Sequence, residues 1–110
     1  MAIQVIINQK GPLPITVTFN APGDSPMYLE INGSVWSQQA NQMIGIGVKL
    51  DNNAVGAAQI FSNGTATHRA VVPAFIAIKL SQGKHTLSLS SNSAATTSDY
   101  NDFYTAVIHY

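Results

Sequence analysis

The chain contains no cysteine, which removes disulfide scaffolds and thiolate metal sites together and leaves the redox compartment unread. Charge is scarce too: Asp, Glu, Lys and Arg make up 9% of the residues, against about 25% in an average soluble domain. The basic residues Lys10, Lys49, Arg69, Lys79 and Lys84 are scattered and balanced by an equal number of acidic ones. With no basic patch to neutralise phosphates, nucleic-acid binding is not expected. The longest unbroken apolar run, residues 70–78, is short and interrupted by Pro73, so membrane insertion is not expected either. The opening Met-Ala-Ile-Gln-Val-Ile-Ile has neither the basic segment nor the long apolar core of a signal peptide. The expected location is cytoplasmic or virion-associated.

What is present is apolar and neutral-polar. Hydrophobic residues account for 45% of the chain, and 34 of its 110 residues are Ser, Thr, Asn or Gln. A surface built of these residues repels its own copies weakly, which suits an oligomer. The length implies one domain, residues 1–110, burying roughly two thirds of its unfolded surface.

No segment carries a helical period; alternation with a period of two recurs instead. Ile3, Val5 and Ile7 mark a first strand, and Ile15, Val17 and Phe19 a second that ends at the turn residues Ala21–Pro26. Asn32-Gly33 is a hairpin signal, yet a turn there would set Glu30 against Val35. Run straight through, Met27, Leu29, Ile31, Gly33 and Val35 share one face, so the sequence predicts one long strand with Gly33 at a bulge or tight contact. Ile44, Ile46, Val48 and Leu50 line the inner face of the next strand. Gly45 and Gly47 lie opposite, where something must pack closely. Asp51–Asn53 turns into a returning strand over 55–61. Pro73 makes the segment 68–80 an edge strand or splits it in two. His85, Leu87 and Leu89 alternate toward the core in a further strand, and Ser91–Ser98 reads as a mobile loop of small residues. These signals predict an all-β antiparallel β-sandwich of about eight strands, a jelly roll.

The last strand, Phe103–Tyr110, is apolar on both faces. One face is expected to meet the core. The other, with Tyr104, Ile108 and Tyr110, is the expected subunit interface.

Several local patterns carry a resemblance: Leu29-Glu30-Ile31-Asn32-Gly33-Ser34-Val35-Trp36, the Val48–Asp51 turn into Val55-Gly56, and Asn63 followed by His68. With them come Leu80-x-x-Gly83-x-His85-x-Leu87-x-Leu89 and Ser98-Asp99-Tyr100-Asn101-Asp102-Phe103. Over residues 27–110 the chain resembles small bacterial and phage-associated proteins of the TNF/C1q-like jelly-roll superfamily. The resemblance implies a homotrimer with its last strand near the threefold axis. It points to a non-enzymatic binding or structural head, of phage-fibre or bacterial-surface type, that recognises another macromolecule.

Candidate chemistry is thin. No Gly-x-Ser-x-Gly elbow or motif-placed carboxylate pair occurs, so no catalytic residue is assigned and no enzyme is expected. His68, His85 and His109 are far apart in sequence and lack ligand spacing, so neither a metal site nor any other cofactor is assigned. His85 reads as a buried histidine bonded to a carbonyl or to a carboxylate such as Asp102. Asp99, Asn101 and Asp102 lack the EF-hand spacing, and Asx turns account for them; whether that loop takes calcium stays open. Tyr28, Trp36 and Tyr100, with the many amides, form a candidate ligand surface. Aromatic faces stack on sugars and amides satisfy hydroxyls, so the alternative function is a carbohydrate-binding lectin. The expected partners are the chain itself and a glycan or protein ligand.

Overall fold

Alternating apolar positions make strands throughout residues 2–110, which are the residues described by the computed structural model. The strands are β1 (Ile3–Lys10), β2 (Ile15–Ala21), β3 (Pro26–Val35), β4 (Gln42–Leu50), β5 (Asn53–Ser62), β6 (Arg69–Ala70), β7 (Ala74–Lys79), β8 (Gly83–Ser91) and β9 (Phe103–His109). No helix occurs among the described residues. One sheet runs β1-β9-β3, with β6 and β7 end to end along the far edge of β3; the other runs β2-β8-β4-β5. All pairings are antiparallel. The chain passes back and forth between the sheets in jelly-roll order, as expected. The expected eight strands become nine because the edge strand breaks at Val71-Val72-Pro73, where proline has no N–H to offer the ladder.

The core lies between the sheets. Met27, Leu29, Ile31 and Val35 of β3 face Ile44, Ile46, Val48 and Leu50 of β4, with Leu87 and Leu89 of β8, and all are buried. β3 runs uninterrupted through Asn32-Gly33, as the register argument predicted. Gly33 pairs directly with Tyr104 across the ladder. A side chain at Gly33 would put its Cβ 2.4 Å from the Tyr104 ring and 3.0 Å from the Phe103 carbonyl oxygen. The glycine is the space the ring occupies.

That contact explains a correction. Tyr104 and Ile108 face inward and are 0% exposed, as is Ala106 between them. The outward side chains of β9 are Phe103, Thr105, Val107 and His109. The expected interface on Tyr104 and Ile108 is therefore part of the core; both faces of β9 carry large apolar residues, so alternation alone does not tell inward from outward. Room for a tyrosine ring at Gly33, and the polar Thr105 and His109 opposite, decide the orientation. Tyr110 is partly exposed, with its backbone paired to Ala2 at 2.7 and 2.9 Å. β1 forms over Ile3–Lys10, where the sequence marked a first strand. A register shift between Val5 and Ile7 turns Ile3 and Val5 to solvent and Ile7 into the core.

Gly33→Ala is expected to destabilise the protein by about 1–3 kcal/mol, because the ring it would strike is fully buried. Gly23→Ala, with nothing within 4 Å of the new methyl group, is expected to change stability by less than ~0.5 kcal/mol. Urea unfolding of both variants checks the contrast, and equal midpoints would mean that the Gly33–Tyr104 contact is loose.

Candidate functional site

Three connections meet at one end of the sandwich: residues 36–41 between β3 and β4, 63–68 between β5 and β6, and 92–102 between β8 and β9. Trp36 N–H donates to the Thr97 carbonyl at 2.9 Å, Thr97 N–H returns to Trp36 at 2.7 Å, and Ala66 N–H donates to Ser37 at 2.7 Å. The 92–97 segment continues from β8 along the backbone edge of β4. Asn92 N–H donates to the Gly45 carbonyl at 2.9 Å; Gly45 N–H donates to the Thr96 hydroxyl at 3.1 Å, and Ser93 Oγ to the Met43 carbonyl at 3.2 Å. The close packing expected at Gly45 is supplied by β5, since a Cβ there would fall 2.4 Å from the Ala58 carbonyl oxygen and 2.9 Å from Gln59, while Gly47 has Ser90 Oγ and Asn92 at ordinary contact distance. The loop itself, expected to be mobile, is hydrogen-bonded along its length, with Thr96 buried.

Beside the loop lies a groove of about 410 Å³ lined by Gln39, Gln42, Met43, Ser93, Ala94 and Ala95. A smaller hollow of about 170 Å³ shares Gln39, Ala94 and Ala95 with it and adds Ser37, Gln38 and Thr97. No lining residue carries a formal charge. Met43 pairs in register with Phe61 on β5, and both side chains are about half exposed, which extends an apolar shelf from the groove. The sequence placed its amides in the candidate ligand surface without singling out Gln38, Gln39 and Gln42. Their clustering in Gln-Gln-Ala-Asn-Gln was the available signal for a site.

Across Trp36 the character changes. Asp102 is fully buried. Its Oδ1 accepts from Ser34 Oγ at 2.7 Å and sits 2.6 Å from His68 Nδ1, while Oδ2 accepts Asp99 N–H at 2.9 Å. His68 Nε2 lies 3.8 Å from Asp99 Oδ2, and the Trp36 and His68 rings pack at 5.7 Å between centroids. Donor atoms of His68, Asp99 and Asp102 come within 4.8 Å of one another. Asn101 N–H donates to Asp99 Oδ1 at 2.8 Å, the Asx turn foreseen in the sequence. Beneath the loop, the Tyr104 phenol is pushed well above its ordinary value by burial and then by the Asp102 carboxylate, with Ser98 only partly opposing. Its oxygen has no hydrogen-bond partner among the described residues.

Of the expected ligand surface, Trp36 and Tyr100 belong to this end; Tyr100 is 74% exposed between the two carboxylates. Tyr28 does not join them. Eight positions earlier on β3, it lies roughly 26 Å away along the strand, on the outer face of the other end. The three histidines are likewise apart, each beside its own carboxylate: His68 with Asp102, His85 with Asp51 and His109 with Glu30. His85 therefore takes Asp51, not Asp102, because the β4–β5 turn, in which Asp51 and Asn52 adopt φ of 50° and 68°, carries that carboxylate to β8.

No protein-family model matches the chain, and no curated protein does. Solved structures of similar shape include the CBM36-1 domain of a multidomain xylanase from the hindgut metagenome of Trinervitermes trinervoides. It is 12% identical with a TM-score of 0.49, over 99% of this chain and 98% of that one. A carbohydrate-binding module CBM36 in complex with calcium and xylotriose is 10% identical with a TM-score of 0.48, over the same shares.

His85 is the histidine whose titration can be read most directly. Its Nδ1 lies 2.6 Å from Asp51 Oδ2 and its Nε2 2.7 Å from the Ser81 carbonyl. Both are acceptors, which only the doubly protonated ring satisfies. The Asp51 hydrogen bond, then the Ser81 carbonyl, raises its pKa above the ordinary 6.5. The same contact, with Thr86 N–H, lowers that of Asp51 below 3.8. A raised histidine contributes stability fully below 6.5 and loses it as pH climbs through the raised value; the lowered carboxylate contributes above 3.8 and loses it as pH falls through its own. Melting temperature is therefore expected to fall from pH 6 to pH 9, and to fall less in His85→Gln. Parallel profiles for the two proteins would sink this assignment.

Proposed function

We propose that residues 1–110 act as a non-enzymatic carbohydrate-binding domain, taking a neutral sugar in the Gln39–Gln42–Met43 groove. The observation that carries this is the groove's lining: amides and hydroxyls with no formal charge, beside an exposed Met43–Phe61 shelf. Each amide offers a donor and an acceptor, the pairing that sugar hydroxyls require. An apolar shelf suits the C–H face of a pyranose, and a concave site with few placed polar groups is the usual form of a small-ligand pocket. The absence of charge in the lining argues against an ionic ligand.

Catalysis has less support. Ser34, His68 and Asp102 are neighbours, but Ser34 donates its hydroxyl hydrogen to Asp102 and not to His68. The imidazole is not placed to take a proton from that oxygen, so the trio is not a Ser–His–Asp relay.

One observation favours a second reading, self-association. The outer face of the β1-β9-β3-β7 sheet exposes Ile3, Val5, Tyr28 and Phe75, each more than half open to solvent. Val5 lies opposite Val107, and Glu30 opposite both Val107 and Phe75. Glu30 at the centre is already bonded to His109 at 2.7 Å and Asn32 at 3.1 Å, so covering the middle of this face with a second copy leaves that carboxylate paired, with Lys10 and Lys79 at the strand ends. A homotrimer of the kind the resemblance implies would use this face, with Tyr104 and Ile108 remaining in the core.

A glycan array tests the first reading, and binding to neutral glycans is the expected result. Gln39→Ala/Gln42→Ala should weaken binding by roughly 1–3 kcal/mol, since each lost hydrogen bond is worth about 1 kcal/mol. The array staying blank, or unchanged affinity in the double variant, would remove the groove as a sugar site. Light scattering tests the second reading: a multimeric mass that drops to one chain in Val5→Glu/Phe75→Glu is expected, and a monomeric wild type overturns it.

A further inference from the structure

We propose that His68 and Asp99 form a site for a divalent transition metal of the zinc class, with Asp102 as the carboxylate that orients the histidine. The inference stands apart from sugar binding and rests on which atoms the protein has already used. His68 Nδ1 lies 2.6 Å from Asp102 Oδ1, and Asp102 is fully buried, with Ser34 Oγ and Asp99 N–H also donating to it. A carboxylate in that setting accepts, so Nδ1 carries the hydrogen and Nε2 the lone pair. This is the carboxylate–histidine arrangement that stands behind metal-ligating imidazoles.

Asp99 is prepared in the same way. Its Oδ1 is taken by Asn101 N–H at 2.8 Å, while its Oδ2 has no hydrogen-bond donor among the described residues and lies 3.8 Å from His68 Nε2. That separation is too long for a hydrogen bond. Two ligands at about 2.1 Å from a tetrahedral ion sit roughly 3.4 Å apart, so a shift of a few tenths of an ångström would seat one. The side chains are 34% and 38% exposed, which leaves the site open to solvent and its remaining positions to water. The Trp36 ring packs against the imidazole and limits its rotation. An imidazole nitrogen in the set favours zinc-class ions over calcium, which takes six to eight oxygen ligands.

The test is calorimetric titration of zinc chloride into the chelator-treated full chain, with histidine ring nitrogens followed by NMR. The expected result is one ion per chain, a perturbation confined to the His68 ring, loss of binding in His68→Gln, and at least tenfold weakening in Asp99→Asn. Asp102→Asn should weaken binding roughly 10–100-fold; if that variant fails to fold, the exposed Asp99→Asn still decides. Absence of saturable zinc binding, affinity unchanged in His68→Gln and Asp99→Asn, or calcium displacing zinc from the site would each overturn the proposal.

Discussion

A carboxylate removed from water must have its oxygens hydrogen-bonded or it destabilises the fold by several kcal/mol. Asp102 meets that condition with partners from separate parts of the chain: Ser34 near the end of β3, His68 before β6, and the Asp99 amide in the turn before β9. The consequence is architectural. Loops at one end of a sandwich have few apolar contacts to hold them, yet here two connections and a strand end converge on one buried side chain. The position of His68, the contact of its ring with Trp36, and the course of the chain into β9 all follow from satisfying Asp102.

The second constraint is steric, and it lies two residues further on. Tyr104 enters the core because Gly33 stands opposite it in the ladder and leaves space for the ring. With Asp102 and Tyr104 both directed inward by strand alternation, β9 has its orientation set by two buried side chains before any aliphatic contact is considered. Its opposite face then follows, and an apolar strip including Val5, Val107 and Phe75 is left on the outside of the sheet. The exposed strip is a by-product of what the core required.

Where one face of a strand is apolar and the other polar, the sequence alone was sufficient. β2, β3, β4 and β8 have the inner residues their alternation indicated, and Pro73 broke the edge strand where it stands. Legibility ended where that contrast vanished. β9 carries large side chains on both faces, and only the pairing of Gly33 with Tyr104, which joins positions far apart in the chain, resolves it. In β1 the strand was legible but not its faces, because a bulge moves a single residue and thereby inverts every face before it. The histidine partners were hidden for a different reason. Composition indicates that a buried histidine wants an acceptor, but not which of several carboxylates arrives, because arrival depends on turns such as Asp51-Asn52. The groove was half legible: its amides are a visible cluster, while the loop that walls it was expected to move and is instead docked on Gly45.

The two sides of Trp36 therefore work by different physics. In the groove there is no formal charge, so a ligand gains nothing from long-range attraction and little is screened by salt. The proposed sugar would be recognised there by hydrogen-bond geometry and contact area. On the other side, the free oxygen of Asp99 faces an imidazole whose second nitrogen is held by a buried carboxylate. Trp36 is the partition: its backbone is bridged to Thr97 on the groove wall, and its ring packs on His68. Anything that displaces the ring should be felt on both sides, whereas a change confined to the amides should leave the charged side unmoved.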